Sequence, residues 1–396
     1  MAIFAAVGVA LSFISTIWIP ATLLCCIPWV QKQMLYLHWV TFFPGRWLTE
    51  PERAGFLKNQ VAPFRITTGD GEKLFTWLIA PLGVYAKHSE DFIKEQPEGG
   101  DIETKTAFKL LKSDPEARLL LYFHGNSATL AQQRRTEEYR SYASGASGKI
   151  FVLAFDYRGF GASSGTPSET GLLSDAEAVV EWALNTANIS PDRIVLLGHS
   201  LGTAVVAGIA HQYAKIGTEF AGLILCAAFT NAGGAFASYS IGGVVPVLAP
   251  IKLSSWLQAR FSSTMRDTWH SDDRLVEIAQ SYARLQLVFV HAENDTTMPW
   301  GETEALFKLT LAAAAETTSP RDGVPKDLKV VDLGEAGRQE VWQAGSRCIQ
   351  KTIAKHGGKR PSSRCPSSVL VLHASAAVPQ FLCYTATTGQ PHLFVF

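Results

Sequence analysis

Residues 195 to 204 read V-L-L-G-H-S-L-G-T-A. An apolar run stops at Gly198, and one serine, Ser200, stands between Gly198 and Gly202 before a small-residue segment. A serine hydroxyl is a weak nucleophile until it is presented to a substrate and given a base. The spacing G-x-S-x-G supplies the presentation. A strand turns sharply into a helix with the serine strained at the apex, and glycines two positions away keep side chains from striking the neighbouring backbone. A chain with 32 glycines can show this spacing by chance. The strand before it and the helix after it are what single out Ser200 as a nucleophile.

A nucleophilic serine requires donors for the negative charge of a tetrahedral intermediate. H-G-N, His124 to Asn126, ends an earlier apolar strand, and the backbone N–H groups of Asn126 and Leu201 are the expected pair. The side chains of His124 and His199 read as structural. The acid should follow a later strand. No Asp or Glu lies between Glu219 and Asp267, whereas H-A-E-N-D-T-T-M-P ends a strand at His291 and offers Asp295. His291, Glu293 and Asp295 match no common zinc spacing, so no metal is expected. D-Y-R-G-F-G-A-S-S-G, 156 to 165, lacks the G-x-G-x-x-G spacing that opens a helix on a dinucleotide, and reads as a tight turn behind the site. No cofactor is called for.

The elements around these residues alternate. Strands are expected at 73–81, 117–126, 149–159, 193–199, 221–229, 284–291 and 327–334, with helices at 127–143, 168–184, 201–214 and 300–315. The helix at 168–184 carries Leu172, Ala176, Val179, Val180, Ala183 and Leu184 as one stripe, with Ser168 as its N-cap. Strands apolar on both faces, alternating with such helices, predict an α/β fold with a mostly parallel central sheet flanked by helices. Residues 230–283, rich in Gly, Phe, Val, Trp and Pro, read as an insertion.

The chain has 396 residues, 47% hydrophobic and 18% charged, with 35 basic and 35 acidic side chains. This balance gives no electrostatic reason to expect a nucleic-acid partner. No charged residue precedes Lys32. Residues 1–31 are long and apolar enough for a transmembrane helix, and lack the basic start and short core of a signal peptide. Trp18, Trp29, Tyr36 and Trp39 are candidates for the membrane interface. Six cysteines without C-x-x-C predict neither a disulfide framework nor a metal site; Cys25 and Cys26 are either palmitoylation sites or small apolar residues.

H-G-N, D-Y-R-G-F-G-x-S-x-G, G-H-S-L-G and H-A-x-N-D-x-x-x-P, in that order, resemble the α/β-hydrolase superfamily. The apolar opening, A-F-K-L-L-K-S-D-P-E-A-R and D-L-G-E-A-G-R-Q-E-V-W narrow the likeness to fungal relatives of membrane-anchored monoglyceride and lysophospholipid lipases. The resemblance covers about residues 1–358. It implies a Ser–Asp–His triad, with Ser200 and Asp295 at matching positions, a cap at 230–283, and a lipid or acyl-ester substrate. A hydrolase domain at 60–358 and a single-pass location in an endomembrane such as the endoplasmic reticulum follow from it. The family's late pattern places histidine after two glycines, but this chain reads K-H-G-G-K-R, with Lys359 there. An ammonium cannot serve as a base poised near pH 7. His356 is the nearest substitute; His373 and His392 lie in a stretch unlike this fold. The tail 359–396 holds no Asp or Glu and is expected to be poorly ordered. A Gly-Lys pair can be encoded with a splice-donor-like GTAAG, so an intron read through after Gly358 would account for the change. Two further readings stand beside the lipid esterase: an inactive fold serving as a membrane-bound interaction protein, and a thioesterase or peptidase sharing the site.

Overall fold

The computed structural model describes residues 16, 19–41, 45–96, 101–144, 148–238, 254–315, 325, 327–355, 368–375 and 378–385. Ten strands form one sheet: β1 (Val61–Thr67), β2 (Lys73–Ile79), β3 (Arg118–Phe123), β4 (Ile150–Phe155), β5 (Ile194–His199), β6 (Gly222–Cys226), β7 (Gln286–Ala292), β8 (Lys329–Asp332), β9 (Arg338–Ala344) and β10 (Arg347–Ala354). Their order is β1-β2-β4-β3-β5-β6-β7-β10-β9-β8. The run β4-β3-β5-β6-β7-β10 is parallel, and antiparallel pairs flank it at both edges. Two more strands, β11 (Ser368–Ser375) and β12 (Val378–Thr385), pair antiparallel as a separate hairpin.

The central strands are apolar on both faces because both faces are covered. In β3, Leu119, Leu121 and Phe123 join one core cluster while Leu120 and Tyr122 join the other; Leu196 and Val195 divide β5 in the same way. The helices Glu169–Glu181, Leu201–Ala214 and Ser271–Ser281 enter the first cluster, and Gln133–Ala143 enters the second. Ser168 caps its helix by accepting the Gly171 N–H at 3.1 Å. The stripe from Leu172 to Ala183 is buried.

Three expectations change. The helix expected from 127 begins at Gln133, because Ser127 and Ala128 sit at φ 60° and 54°, outside helical space. The strand expected at 327–334 is a four-residue edge strand. The parallel neighbour of β7 is instead β10, which the reading missed because Gln350, Lys351 and Thr352 stand at its centre. Those polar groups are buried with partners: Lys351, fully buried, pairs with Glu304 and, at 2.9 Å, with Glu340. Within the expected insertion, Ser271–Ser281 packs against the helices Leu201–Ala214 and Gly301–Ala314, so it covers the sheet.

The N-terminal span falls largely outside the described residues. Within them, one helix covers Ile19–Cys25 and a second, opened by proline, covers Pro28–Tyr36. Among the described residues no helix is long and apolar enough to cross a membrane.

Candidate active site

The parallel strands end along one edge of the sheet, and Ser200, Asn126, Leu201 and Asp295 follow strands that end there. Ser200 follows β5 with φ 51° and ψ −117°, a conformation costing a non-glycine residue about 1–3 kcal/mol. Backbone contact imposes it. A Cβ at Gly198 would overlap the Gly202 carbonyl, and a Cβ at Gly202 would overlap the Phe123 carbonyl oxygen at the end of β3. The Ser200 N–H donates to the Cys226 carbonyl at 2.8 Å, which fastens the turn to β6.

The loop after β3 lies against that turn. A Cβ at Gly125 would sit 3.4 Å from the Ser200 Cβ and 3.1 Å from His199 Nδ1, so glycine admits the close approach. Arg135, buried, gathers the loop's carbonyls: its guanidinium donates to Gly125 O at 3.0 Å, Asn126 O at 3.2 Å, Ser127 O at 2.9 Å and Thr129 O at 2.7 Å. In a trans peptide the N–H points opposite the preceding carbonyl. Drawing the Gly125 carbonyl toward Arg135 therefore turns the Asn126 N–H the other way. Leu201 opens the helix Leu201–Ala214, where first-turn amides have no acceptor within the helix and the helix dipole favours negative charge. Arg135 went unremarked in the sequence; an arginine nine residues past H-G-N in an otherwise polar helix start was the only signal.

Asp156, the start of D-Y-R-G-F-G, braces the loop from beneath. It accepts the Leu130 N–H at 2.6 Å and faces His124 Nε2 at 3.4 Å. Arg158 donates to Asp175 at 2.7 Å and to Asp70 at 2.7 and 3.0 Å, pinning the turn to the helix Glu169–Glu181. Burial holds His124 below the usual histidine range. His199 is held well below it by burial, and next by the charges of Arg134 and Arg135.

Asp295 lies in the turn after β7 and is almost buried. One carboxylate oxygen accepts the Thr297 and Met298 N–H groups at 2.8 and 3.0 Å. His291 Nε2 is 3.7 Å from the other oxygen, but that ring is occupied: Nε2 lies 2.9 Å from the Met298 carbonyl and Nδ1 2.7 Å from the Thr303 hydroxyl. Among the described residues, no other histidine comes within 4.0 Å of this carboxylate. The end of β10 arrives beside the same turn. Ala354 pairs with Ala292, and its carbonyl accepts the Glu293 N–H at 2.7 Å. His356 and Lys359, which follow, lie outside the described residues.

A cavity of about 330 Å³ opens over these groups. Ser200, Asn126 and Leu201 line it from the sheet edge, Thr297 and Met298 from the Asp295 turn, and Phe236 from the inserted segment. Phe261 packs on Phe236 with ring centroids 6.3 Å apart. Trp256 and Leu257, from the same expected cap, are exposed; residues 239–253 of it lie outside the described residues.

The chain matches the family model described as alpha/beta hydrolase family over residues 120–376. The protein belongs to the α/β-hydrolase family. Within it, the chain is 28% identical to the lysophosphatidylserine lipase ABHD12 of Danio rerio over 295 residues, 74% of this chain and 69% of that protein. It is 30% identical to protein bem46 of Schizosaccharomyces pombe over 211 residues, 53% of this chain and 62% of that protein. An alpha-beta hydrolase from Vibrio vulnificus aligns at TM-score 0.49 and 16% identity, over 74% of this chain and 82% of that one.

Proposed function

We propose that this α/β-hydrolase cleaves carboxylic esters of lipids at a membrane through an acyl-enzyme on Ser200. The observation that carries the reading is the apolar cavity with a strained serine in its wall, beside Asn126, Leu201 and the Asp295 turn. The Ser200 oxygen attacks the acyl carbonyl while a histidine takes its proton. Asp295 orients that histidine, and the Asn126 and Leu201 N–H groups hold the oxyanion. The histidine then protonates the leaving alcohol. Water, deprotonated by the same histidine, releases the fatty acid and restores Ser200. The histidine comes from the segment after β10: His356 in the chain as it stands, or a histidine in place of Lys359 if spliced transcripts diverge at Gly358. Relationship to a lysophosphatidylserine lipase supports a lipid ester as the substrate class. Residues 1–31 anchor the chain in an endomembrane, 60–358 form the hydrolase domain, and the cycle uses no cofactor.

The competing reading is an inactive hydrolase fold acting as a membrane-bound interaction protein. It draws on the occupied ring of His291, the one described histidine within 4.0 Å of the Asp295 carboxylate. A fluorophosphonate probe separates the two. Labelling that disappears in Ser200→Ala establishes the enzyme. Folded parent and folded Lys359→His that both refuse the probe establish the scaffold. Parallel turnover of ester, thioester and peptide substrates fixes the bond cleaved.

A further inference from the structure

The stretch that follows the apolar opening reaches the site. Met34, Leu35 and Leu37 line the same cavity as Ser200. They are held there on two sides. Toward the sheet, the Ser127 N–H donates to the Tyr36 carbonyl at 2.8 Å and the Ala128 N–H to the Val40 carbonyl at 2.7 Å. Toward the inserted segment, Gln31 Nε2 donates to the Thr264 hydroxyl at 2.8 Å, and the buried Tyr36 hydroxyl donates to Asp267 at 2.9 Å. Between these ties Leu37 takes φ 46°, a left-handed conformation that costs a branched residue energy and ends the helix Pro28–Tyr36 at the cavity. The outer side of this stretch is apolar as well: Leu23, Leu24, Trp29 and Trp39 are each more than half exposed.

We infer that residues 31–40 are the acyl-selecting wall of the site, with Met34, Leu35 and Leu37 setting how long an acyl chain it accepts. The inference rests on the lipid-ester reading only in taking the occupant to be an acyl chain. Residues 31–40 thereby both brace the oxyanion loop and shape the pocket. A cavity of about 330 Å³ falls at the small end of the range of small-molecule sites, so changes in its wall decide what fits. Side chains that narrow this wall shorten the chain that fits, and side chains that recede lengthen it.

The test measures binding, so that it runs without turnover. Full-length Ser200→Ala protein in detergent is loaded with a fluorescent fatty acid, which is displaced by saturated fatty acids of eight to eighteen carbons. Met34→Trp and Leu37→Trp in that background should move the tightest-binding length down by two carbons or more and weaken the longest acids about tenfold. Leu35→Ala should move it up, and serves if the tryptophan variants do not fold. Ile216→Trp, at a site 73% exposed and away from the cavity, should change nothing. Length profiles that superimpose on the parent in every folded wall variant overturn the inference. So does a folded parent that binds none of the acids; labelling of Ser200 by fluorophosphonate then still decides, separately, whether the protein is a hydrolase.

Discussion

The corner at Ser200 and the end of β10 lie on the same edge of one sheet and are built by different means. At the corner, backbone rests on backbone: Gly198 against Gly202, and Gly202 against the end of β3. Nothing larger fits, so the geometry is written in a few adjacent residue types. β10 is held by side chains far away in sequence. Lys351 sits fully buried between Glu304 and Glu340, with its ammonium over the Phe307 ring at 4.4 Å, and Gln339 donates to the Thr352 hydroxyl at 3.3 Å. A strand that buries charge by pairing it carries no apolar run. The corner at Ser200 is specified locally, while β10 is specified at long range.

The largest effect expected is at the corner. Ser200→Ala should abolish fluorophosphonate labelling and lower ester turnover by about 10⁶, provided the parent chain or Lys359→His is active. Turnover that survives this change would remove the corner from the chemistry altogether.

Next is Gly202→Ala, whose new methyl meets the Phe123 carbonyl. It should cost more than about 4 kcal/mol in urea unfolding, beyond the range of ordinary single substitutions. A loss below 1 kcal/mol would show that the corner yields, and would weaken the contrast with β10.

Lys351→Met tests the other side. Removing the cation leaves Glu304 and Glu340 facing each other, and should cost about 3 kcal/mol. Lys351→Met combined with Glu304→Leu and Glu340→Leu should recover much of it, because an apolar strand needs no pairing. If the triple variant is no more stable than the single, the charges do more for β10 than compensate one another.

Arg135→Lys keeps the charge and loses the planar fork that spans the loop's carbonyls. On the proposed mechanism the expected change is a fall in kcat of about tenfold to a hundredfold with KM nearly constant, since the donor it aims would act on the intermediate. A change confined to KM would assign Arg135 to substrate binding.

A pH-dependent effect is spread over both regions. His124 and His291 are fully buried, and burial holds both below the usual histidine range. The folded protein keeps them neutral, while the unfolded chain takes up protons below about pH 6.5. Their contribution is complete above that pH. It is lost as pH falls, by about 1.4 kcal/mol per unit for each ring, until the folded value is reached. The margin in urea stability of the parent over a folded His291→Gln variant should shrink from pH 8 to pH 5, and a margin that stays constant would place a proton on that ring in the folded state.

These particulars explain what the sequence made legible. Ser200, Gly198 and Gly202 were readable because their constraint spans five residues. The place of Asp295, in a turn after a strand, was readable because the apolar run ending at His291 is followed by turn residues and a proline. Arg135 was not, because its work is to hold carbonyls, which leave no mark in residue type. β10 was not, because Lys351 is intelligible only once Glu304 and Glu340 are known to meet it. The N-terminal stretch was read for its length and hydropathy, which describe a membrane span. That Tyr36 and Val40 take hydrogen bonds from the loop after β3 depends on the folded path of the chain.

The seat of Gly202 on Phe123 joins the helix that follows Ser200 to the strand that leads into Asn126. That joint has no slack to lend, because any side chain at Gly202 would strike the carbonyl beneath it. The early helix is tied to the inserted segment differently, through side chains: Gln31 to the Thr264 hydroxyl and Tyr36 to the Asp267 carboxylate.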